Sequence, residues 1–235
     1  MKGFIIFILH ISSTLFIGSN SGILAQSLNQ DYISENQYKI DIIKYDLLID
    51  ISVPDKKITA EIKIAGLITD DSLTSIDLNF YDQLHITGLL LNGNEANYIH
   101  KKNSLSISDI DLLNDTFNLQ INYEGKPKSF GPVGFVFGEV NKRSLVYTLN
   151  QPDYASTWFP CNDIPSDKAM LEIKIRNTKE NISVSNGKLI EVIEDETHKT
   201  YHWETYYPIS TYLISIYSAP YEYFNDNFIL NDDTL

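Results

Sequence analysis

From Tyr38 onward the chain places an apolar residue at nearly every second position. Tyr45, Leu47, Ile49 and Ile51 alternate with polar or opposite-face neighbours, and Ile58, Ala60, Ile62 and Ile64 repeat the pattern beyond Pro54-Asp55. A period of two over this length predicts two strands, each with one buried face, joined as an antiparallel hairpin. The rhythm returns in Ile76, Leu78 and Phe80 after Asp70-Asp71-Ser72, and in Leu84, Ile86, Gly88 and Leu90 ahead of the hairpin signal Asn92-Gly93. Phe117, Leu119, Ile121 and Tyr123 form another run, ended by Gly125 and Pro127. Further strands are predicted at 144–149, 169–176, 182–184, 188–193, 200–204 and 211–217, with an Asn186-Gly187 turn after the third of these. Many short strands without a helical stretch, an internal repeat or a low-complexity tract specify an all-β fold, an antiparallel β-sandwich or pair of packed sheets.

Two segments break the rhythm. Residues 130–138 (FGPVGFVFG) are too rich in Gly to form a regular strand throughout, and residues 151–165 (QPDYASTWFPCNDIP) carry three prolines. Irregular segments of this kind in a compact domain either face a ligand or, here, use Phe135, Phe137, Trp158 and Phe159 to plug one end of the sandwich. Ahead of the strands, Lys2, the apolar stretch from Phe4 to Ile17 and the small residues before Ala25 read as a cleaved secretory signal peptide. That stretch is interrupted by His10 and is shorter than the roughly 20 apolar residues of a spanning helix. The expected division is a signal peptide at 1–25, a polar linker at 26–37 and a β-domain at 38–235, exported to the periplasm or beyond and without a membrane span after cleavage.

Composition narrows the chemistry. A formal net charge of −13 with scattered lysines such as Lys56, Lys57, Lys101, Lys102, Lys126 and Lys128 argues against nucleic acid, which is bound through clustered cations. The acidity serves solubility or a field that attracts cationic ligands, peptide N-termini among them. Cys161 is the only cysteine, so no intrachain disulfide forms and the fold rests on its core. With Pro160 and Asn162 as neighbours and no histidine nearby, it reads as a buried structural thiol. His198 and His202 are spaced i, i+4, but the residues around them read as a strand, which sets their Cα atoms roughly 13 Å apart and off a shared metal. They are expected to be surface histidines. His85 and His100 lack ligand partners at metal-binding spacing.

The segment Thr148-Leu149-Asn150-Gln151-Pro152, then Ala155, then Trp158-Phe159-Pro160-Cys161-Asn162-Asp163-Ile164-Pro165-Ser166-Asp167-Lys168-Ala169 resembles the T-Q-x-E-P and A-R-x-x-F-P-C-x-D-x-P block of the N-terminal domain of the M1 zinc aminopeptidases. The opening Ile43-Lys44-Tyr45-Asp46-Leu47 and the later Pro208-Ile209-Ser210-Thr211-Tyr212-Leu213-Ile214 agree with it, and the resemblance runs from about Tyr38 to Tyr223. It implies a saddle-shaped β-domain that packs against a thermolysin-like catalytic domain. That domain holds zinc through H-E-x-x-H and a later Glu, with G-x-M-E-N helping to bind the substrate N-terminus. Neither motif occurs here, and none of His10, His85, His100, His198 or His202 is followed by Glu. Zinc is therefore expected in the catalytic domain and not on this chain. One family residue carries over: Gln151 matches the Glu, sometimes Gln, that binds the substrate's α-amine. Its carbonyl accepts a hydrogen bond from an ammonium but lacks the charge of Glu. Leu149 and Ser156 depart from the usual Gln and Arg. Asp163 and Lys168 match the block as structural residues, Asp163 bonding turn N–H groups and Lys168 pairing with Asp163 or Asp167.

The sequence thus leads to an exported N-terminal β-domain of an M1-type metallo-aminopeptidase, a fragment or truncated product that is inactive alone. Its expected partners are the catalytic domain and peptides with a free N-terminus, with Gln151 presented to the latter. The alternative is a non-catalytic secreted β-sandwich that binds a protein or peptide on the same scaffold. A large apolar surface where the catalytic domain would sit favours the first, and a polar one the second. An adhesin-like structural domain has only the strand count behind it.

Overall fold

The computed structural model describes residues 33–108, 110 and 114–222, and the backbone of 229–230 and 233–234. The expected signal peptide lies outside the described residues. A 3-10 turn at Glu35–Lys39 leads into β1 (Ile40–Ser52), followed by β2 (Lys57–Ile68), β3 (Ile76–Asn79), β4 (Leu84–Leu91), β5 (Asn94–Glu95), β6 (Tyr98–Lys101), β7 (Ser104–Ile107) and β8 (Thr116–Gly125). The chain continues through β9 (Ser129–Phe130), β10 (Val133–Val140), β11 (Arg143–Leu149), a 3-10 turn at Ala155–Thr157, β12 (Lys168–Thr178), β13 (Ile182–Ser185) and β14 (Lys188–Glu194). Then come β15 (His198–Glu204), β16 (Ile209–Ser210), a 3-10 turn at Thr211–Leu213 and β17 (Ile216–Ala219), with a short pair of strands at Ile229–Leu230 and Asp233–Thr234.

The all-β expectation holds. One large sheet runs β14-β15-β12-β1-β2-β8-β4-β5 with β16 attached to β12, and two smaller sheets run β13-β17-β11-β10-β9 and β3-β7-β6. The predicted hairpin forms in register, with Tyr45 opposite Ile64, Leu47 opposite Ile62, Ile49 opposite Ala60 and Ile51 opposite Ile58. Both strands turn these side chains to one face, where they join residues of both smaller sheets, such as Leu78, Leu105, Phe135 and Ile216, in a single buried cluster. At about 25 cal/mol per Å² of apolar surface removed from water, this burial is the main favourable contribution to folding. A bulge at Ile43 switches the buried phase of β1 from Ile40 and Ile42 to the odd positions that follow, which leaves Ile43 itself 44% exposed.

Three features depart from the sequence pattern. The ladder between β1 and β12 is parallel, with Leu47 beside Ile173 and Ile49 beside Ile175, whereas the other ladders among the described residues are antiparallel. Residues 130–138 form a hairpin after all: β9 and β10 pair across Gly131-Pro132, and Val133–Val140 is continuous strand. Gly131 and Gly134 supply left-handed backbone at φ +65 and +87, which is what lets a Gly-rich run close tightly and still pair with β11. The end of the polar segment read as a linker is also held by the domain: Gln37 is 2% exposed and donates to Asn79 and Asn162, while Ser34 and Asn36 bond Asp77.

The Asn186-Gly187 turn carries the chain between sheets and is not a hairpin. β13 pairs with β17 in a small sheet, whereas β14 pairs with β15 in the large one. Asn186 secures the crossing by donating to the Leu213 carbonyl at 2.9 Å and accepting from the Ser215 N–H at 2.7 Å. Gly187 has φ +91, and a Cβ there would collide with the backbone of Glu204 and Thr205. Gly187→Ala is therefore expected to cost about 2–4 kcal/mol, a backbone clash added to left-handed strain, read as a lower urea midpoint with an unchanged slope.

Candidate functional site

The residues that carry the family resemblance cluster where β11 ends and the chain crosses to β12. Thr148 and Asn150 point inward and tie this end of β11 to its neighbours. The Thr148 hydroxyl accepts from the Ile216 N–H at 2.9 Å, and the Asn150 amide donates to the Ile214 carbonyl while accepting from the Trp158 indole at 3.0 Å. The following residues turn back at once, since the Tyr154 N–H reaches the Asn150 carbonyl at 2.7 Å and a 3-10 turn occupies Ala155–Thr157. Residues 155–164 are all buried, so the segment is a plug that fills the domain and not a loop that lies over it. Trp158, Phe159 and Phe135 pack ring on ring within it, with Trp158 and Phe159 centroids 4.4 Å apart. Of the two readings open for its aromatics, packing is the observed one.

A buried plug must find partners for its backbone inside the protein. Tyr123 donates its hydroxyl to the Trp158 carbonyl at 3.0 Å, and the Tyr45 hydroxyl accepts from the Asn162 N–H at 3.1 Å. Asn79 and Cys161 exchange both backbone hydrogen bonds, at 2.8 and 3.1 Å. Cys161 is fully buried, and burial pushes its thiol well above the usual range, in keeping with a structural role.

Two carboxyls complete the network. Asp163 accepts from the Thr211 hydroxyl at 2.7 Å and from the Ser156 N–H at 3.4 Å, and burial raises it to about 6 with a further push from the Asp153 charge. Asp167 accepts from the Ile42 N–H at 3.1 Å and the Asn162 amide at 2.6 Å, and burial raises it to about 6 as well, with Asp41 close by. Asp163 thus bonds the turn backbone as expected. Lys168 does not pair with either carboxyl; it is exposed, and the partners of Asp163 and Asp167 are hydroxyl, amide and backbone groups.

Gln151 stands where the plug meets solvent. It is exposed, and its side chain makes no hydrogen bond to the described residues. Its base is fixed by Asn150 on one side and by the turn at 155–157 on the other. Beside it lies a surface that the alternation pattern hides. β11 buries Val146 and Thr148, yet the outward residues Leu145, Tyr147 and Leu149 are apolar too. Register carries the pattern across the sheet, with Tyr147 opposite Val136 on β10 and opposite Tyr217 on β17, whose ring stacks on it at 6.5 Å, and Tyr217 opposite Val184 on β13. The outer face of the five-stranded sheet is therefore apolar, with Leu149 and Tyr217 each 41% exposed and Leu213 and Tyr221 beside it. The signal was present in the sequence as the two-sided apolar run of β11.

The histidines are scattered, and His198 and His202 do lie on a strand. His202 is not a surface residue, however. It is 13% exposed between Glu172, 3.1 Å from Nε2, and Glu191, 3.5 Å from Nδ1. These carboxylates flank opposite ring nitrogens, so the three side chains do not converge on one ion, and Glu172 is already held by Lys44 and Lys174 at 2.7 Å each. His100 stacks on Phe80 and bonds its carbonyl, while His85 is exposed. No group of three or more His, Cys, Asp or Glu able to hold a metal occurs among the described residues. These residues do not fit a zinc ion.

Residues 42–213 match the family model of the peptidase M1 N-terminal domain. The chain belongs to this family. Probable aminopeptidase 1 of Sulfurisphaera tokodaii is 22% identical over 187 residues, 80% of this chain and 22% of that protein. The crystal structure of an M1 zinc metallopeptidase from Deinococcus radiodurans superimposes with a TM-score of 0.68 at 20% identity, over 84% of this chain and 46% of that one. A mutant of the Deinococcus radiodurans enzyme bound to a Tyr-Ser-Ala substrate has the same score and coverage at 19% identity. This M1 N-terminal domain thus spans about a fifth of the curated relative and about half of the solved chain, and these members are named as aminopeptidases and zinc metallopeptidases.

The two raised carboxyls give this M1 N-terminal domain a pH signature. Both titrate near 4 in an unfolded chain but at about 6 in the fold, so ionised Asp163 and Asp167 destabilise the domain at neutral pH. That penalty disappears as pH falls through the folded values. His100, lowered by burial, acts in the opposite direction, one imidazole against two carboxyls. The melting temperature is expected to rise between pH 7.5 and about pH 5. It should then fall below about pH 4, where Glu172, held near 2 by Lys174 and Lys44, stops contributing. Asp163→Asn should flatten the rise by about half in calorimetric scans across this range.

Proposed function

We propose that this domain covers the active-site cleft of an exported M1 zinc aminopeptidase and offers Gln151 to the α-amine of the peptide substrate. The observation that carries the reading is Gln151 itself, an exposed amide without a partner among the described residues, on a rigid base at the end of β11. Its carbonyl accepts one N–H of an ammonium, and a neutral acceptor leaves the rest of the charge recognition to carboxylates elsewhere in the cleft. The relative bound to Tyr-Ser-Ala supports a peptide as the substrate class. The outer face of the five-stranded sheet is the seat for the catalytic domain, since Leu149, Tyr147 and Tyr217 form an apolar surface along the strand that leads to Gln151. That surface favours a cleft-covering domain over a free-standing secreted binding module, which would have a solvated face there. Export rests on the sequence of residues 1–25, and zinc belongs to the catalytic domain, held there by H-E-x-x-H and a later Glu.

The test is kinetic. In the protein that joins this domain to its catalytic domain, Gln151→Ala is expected to raise KM for aminoacyl substrates by about ten- to a hundredfold with little change in kcat, the value of one hydrogen bond to a charged group. Gln151→Glu should lower KM below that of the parent by adding charge assistance. An unchanged KM in both variants removes Gln151 from the site. The 235-residue chain supplied with zinc is expected to show no chelator-sensitive hydrolysis of the same substrates, and turnover by the pure chain would move the metal onto this domain.

A further inference from the structure

The two edges of the large sheet differ in kind. One edge is β5, two polar residues long. The other is β14, seven residues long and exposed throughout, with Leu189, Ile190, Val192 and Ile193 between 38% and 58% exposed. A long apolar edge presents unpaired N–H and C=O groups to any incoming strand, and proteins ordinarily shorten or charge such edges, as β5 shows here.

Register against β15 fixes the face on which each side chain of β14 stands. Leu189 pairs with Trp203 and Val192 with Tyr201, so both lie on the core side of the sheet. Lys188, Glu191 and Ile193 pair with Glu204, His202 and Thr200 on the outer side, and Glu191 leans onto His202 at 3.5 Å. The bulge between Leu189 and Glu191 is what brings Leu189 and Val192, an odd number of residues apart, to the same face.

We infer that β14 pairs antiparallel with β14 of a second copy of this chain, about a two-fold axis between Ile190 and Glu191. In that register Leu189 of each copy meets Val192 of the other on the core side, and Lys188 meets Ile193 on the outer side. Lys188 then lies diagonally across from Glu191 of the second copy, on the same face and within reach of a long side chain. The axis repeats every pair, so apolar meets apolar twice and opposite charges meet twice. A shift of one residue in either direction sets core-side residues opposite outer-side ones and loses both matches. This self-complementarity selects a second copy over an unrelated strand.

Sedimentation velocity of the full chain from about 1 to about 200 µM tests the pairing. A monomer–dimer equilibrium is expected, with a dissociation constant on the order of 10 µM for an interface of one strand pair. Val192→Lys should leave only monomer. Lys188→Glu and Glu191→Lys should each weaken the dimer about tenfold, and the double exchange should restore it. All three positions are exposed, and far-UV circular dichroism confirms that the variants are folded. A wild-type chain that stays monomeric throughout overturns the inference. So does a Val192→Lys variant that dimerises like the parent, which would place the contact elsewhere, for instance on the outer face of the five-stranded sheet, or a double exchange that fails to recover association.

Discussion

Burying residues 155–164 is the constraint on which the rest of the structure depends. The segment pairs with a strand only through the single bridge of Cys161 to Asn79, and once it is inside the domain each of its other peptide groups needs a partner there. Distant residues supply partners: Tyr45 on β1, Asn79 at the end of β3 and Tyr123 on β8 for its backbone, and Gln37 ahead of the first strand and Thr211 before β17 for the side chains of Asn162 and Asp163. The plug consequently draws all three sheets together. Loss of any one of these side chains would strand a buried polar group, costing about 1–3 kcal/mol, so the network binds the fold more tightly than its count of hydrogen bonds suggests.

The same network explains how a residue in an irregular segment can hold a fixed position. Loops carry function because their side chains are free, but a free side chain on a mobile backbone binds weakly. Here the backbone is not free. Asn150 is locked between the Trp158 indole and the Ile214 carbonyl, so the next residue, Gln151, leaves a rigid base with only its own torsions to settle. The buried carboxyl of Asp163 belongs to the same plug, bonded to Thr211 and Ser156. Keeping it ionised near neutral pH lowers stability, a cost that fits a position shaped by the geometry of the plug more than by the stability of the domain.

Much of this was legible in the sequence, and the gaps have definite physical causes. Period-two alternation reveals β1, β2 and β8 and the antiparallel hairpin of the first two, because each strand has one wet and one dry face. It gave no sign of the parallel ladder between Ile49 and Ile175, since alternation reports which face is buried and not which distant strand lies alongside. The Gly-rich run at 130–138 shows that the strand is interrupted, as it is at Gly131-Pro132, but not that the two pieces pair as a hairpin. Gln151 was found only through the fixed spacing of its neighbours, since nothing in its own type or local pattern marks it. Proximity in sequence pairs Lys168 with Asp163 and Asp167, whereas in the fold Asp163 is buried, Asp167 is partly buried, and both accept from neutral donors. The strand pattern makes His202 a surface residue, and only the fold brings Glu172 and Glu191 around it.

The outer faces of the two main sheets finally separate what holds the domain together from what it offers to other molecules. The large sheet turns outward a lattice of charges in which Lys44, Lys174 and Arg176 pair with Glu172, Asp46 and Asp50. Such partly exposed pairs contribute little to stability, but they keep this face wet and unattractive to apolar surfaces. The five-stranded sheet turns outward Leu149, Tyr147, Val136, Tyr217 and Val184, which have no such role in water. In a chain of net charge −13 the contrast is not a by-product of composition, because charged residues were plentiful enough to cover both sheets. It follows that the apolar face, unlike the charged one, is left without an occupant in this domain, and Gln151 lies just beyond the end of the strand that crosses its middle.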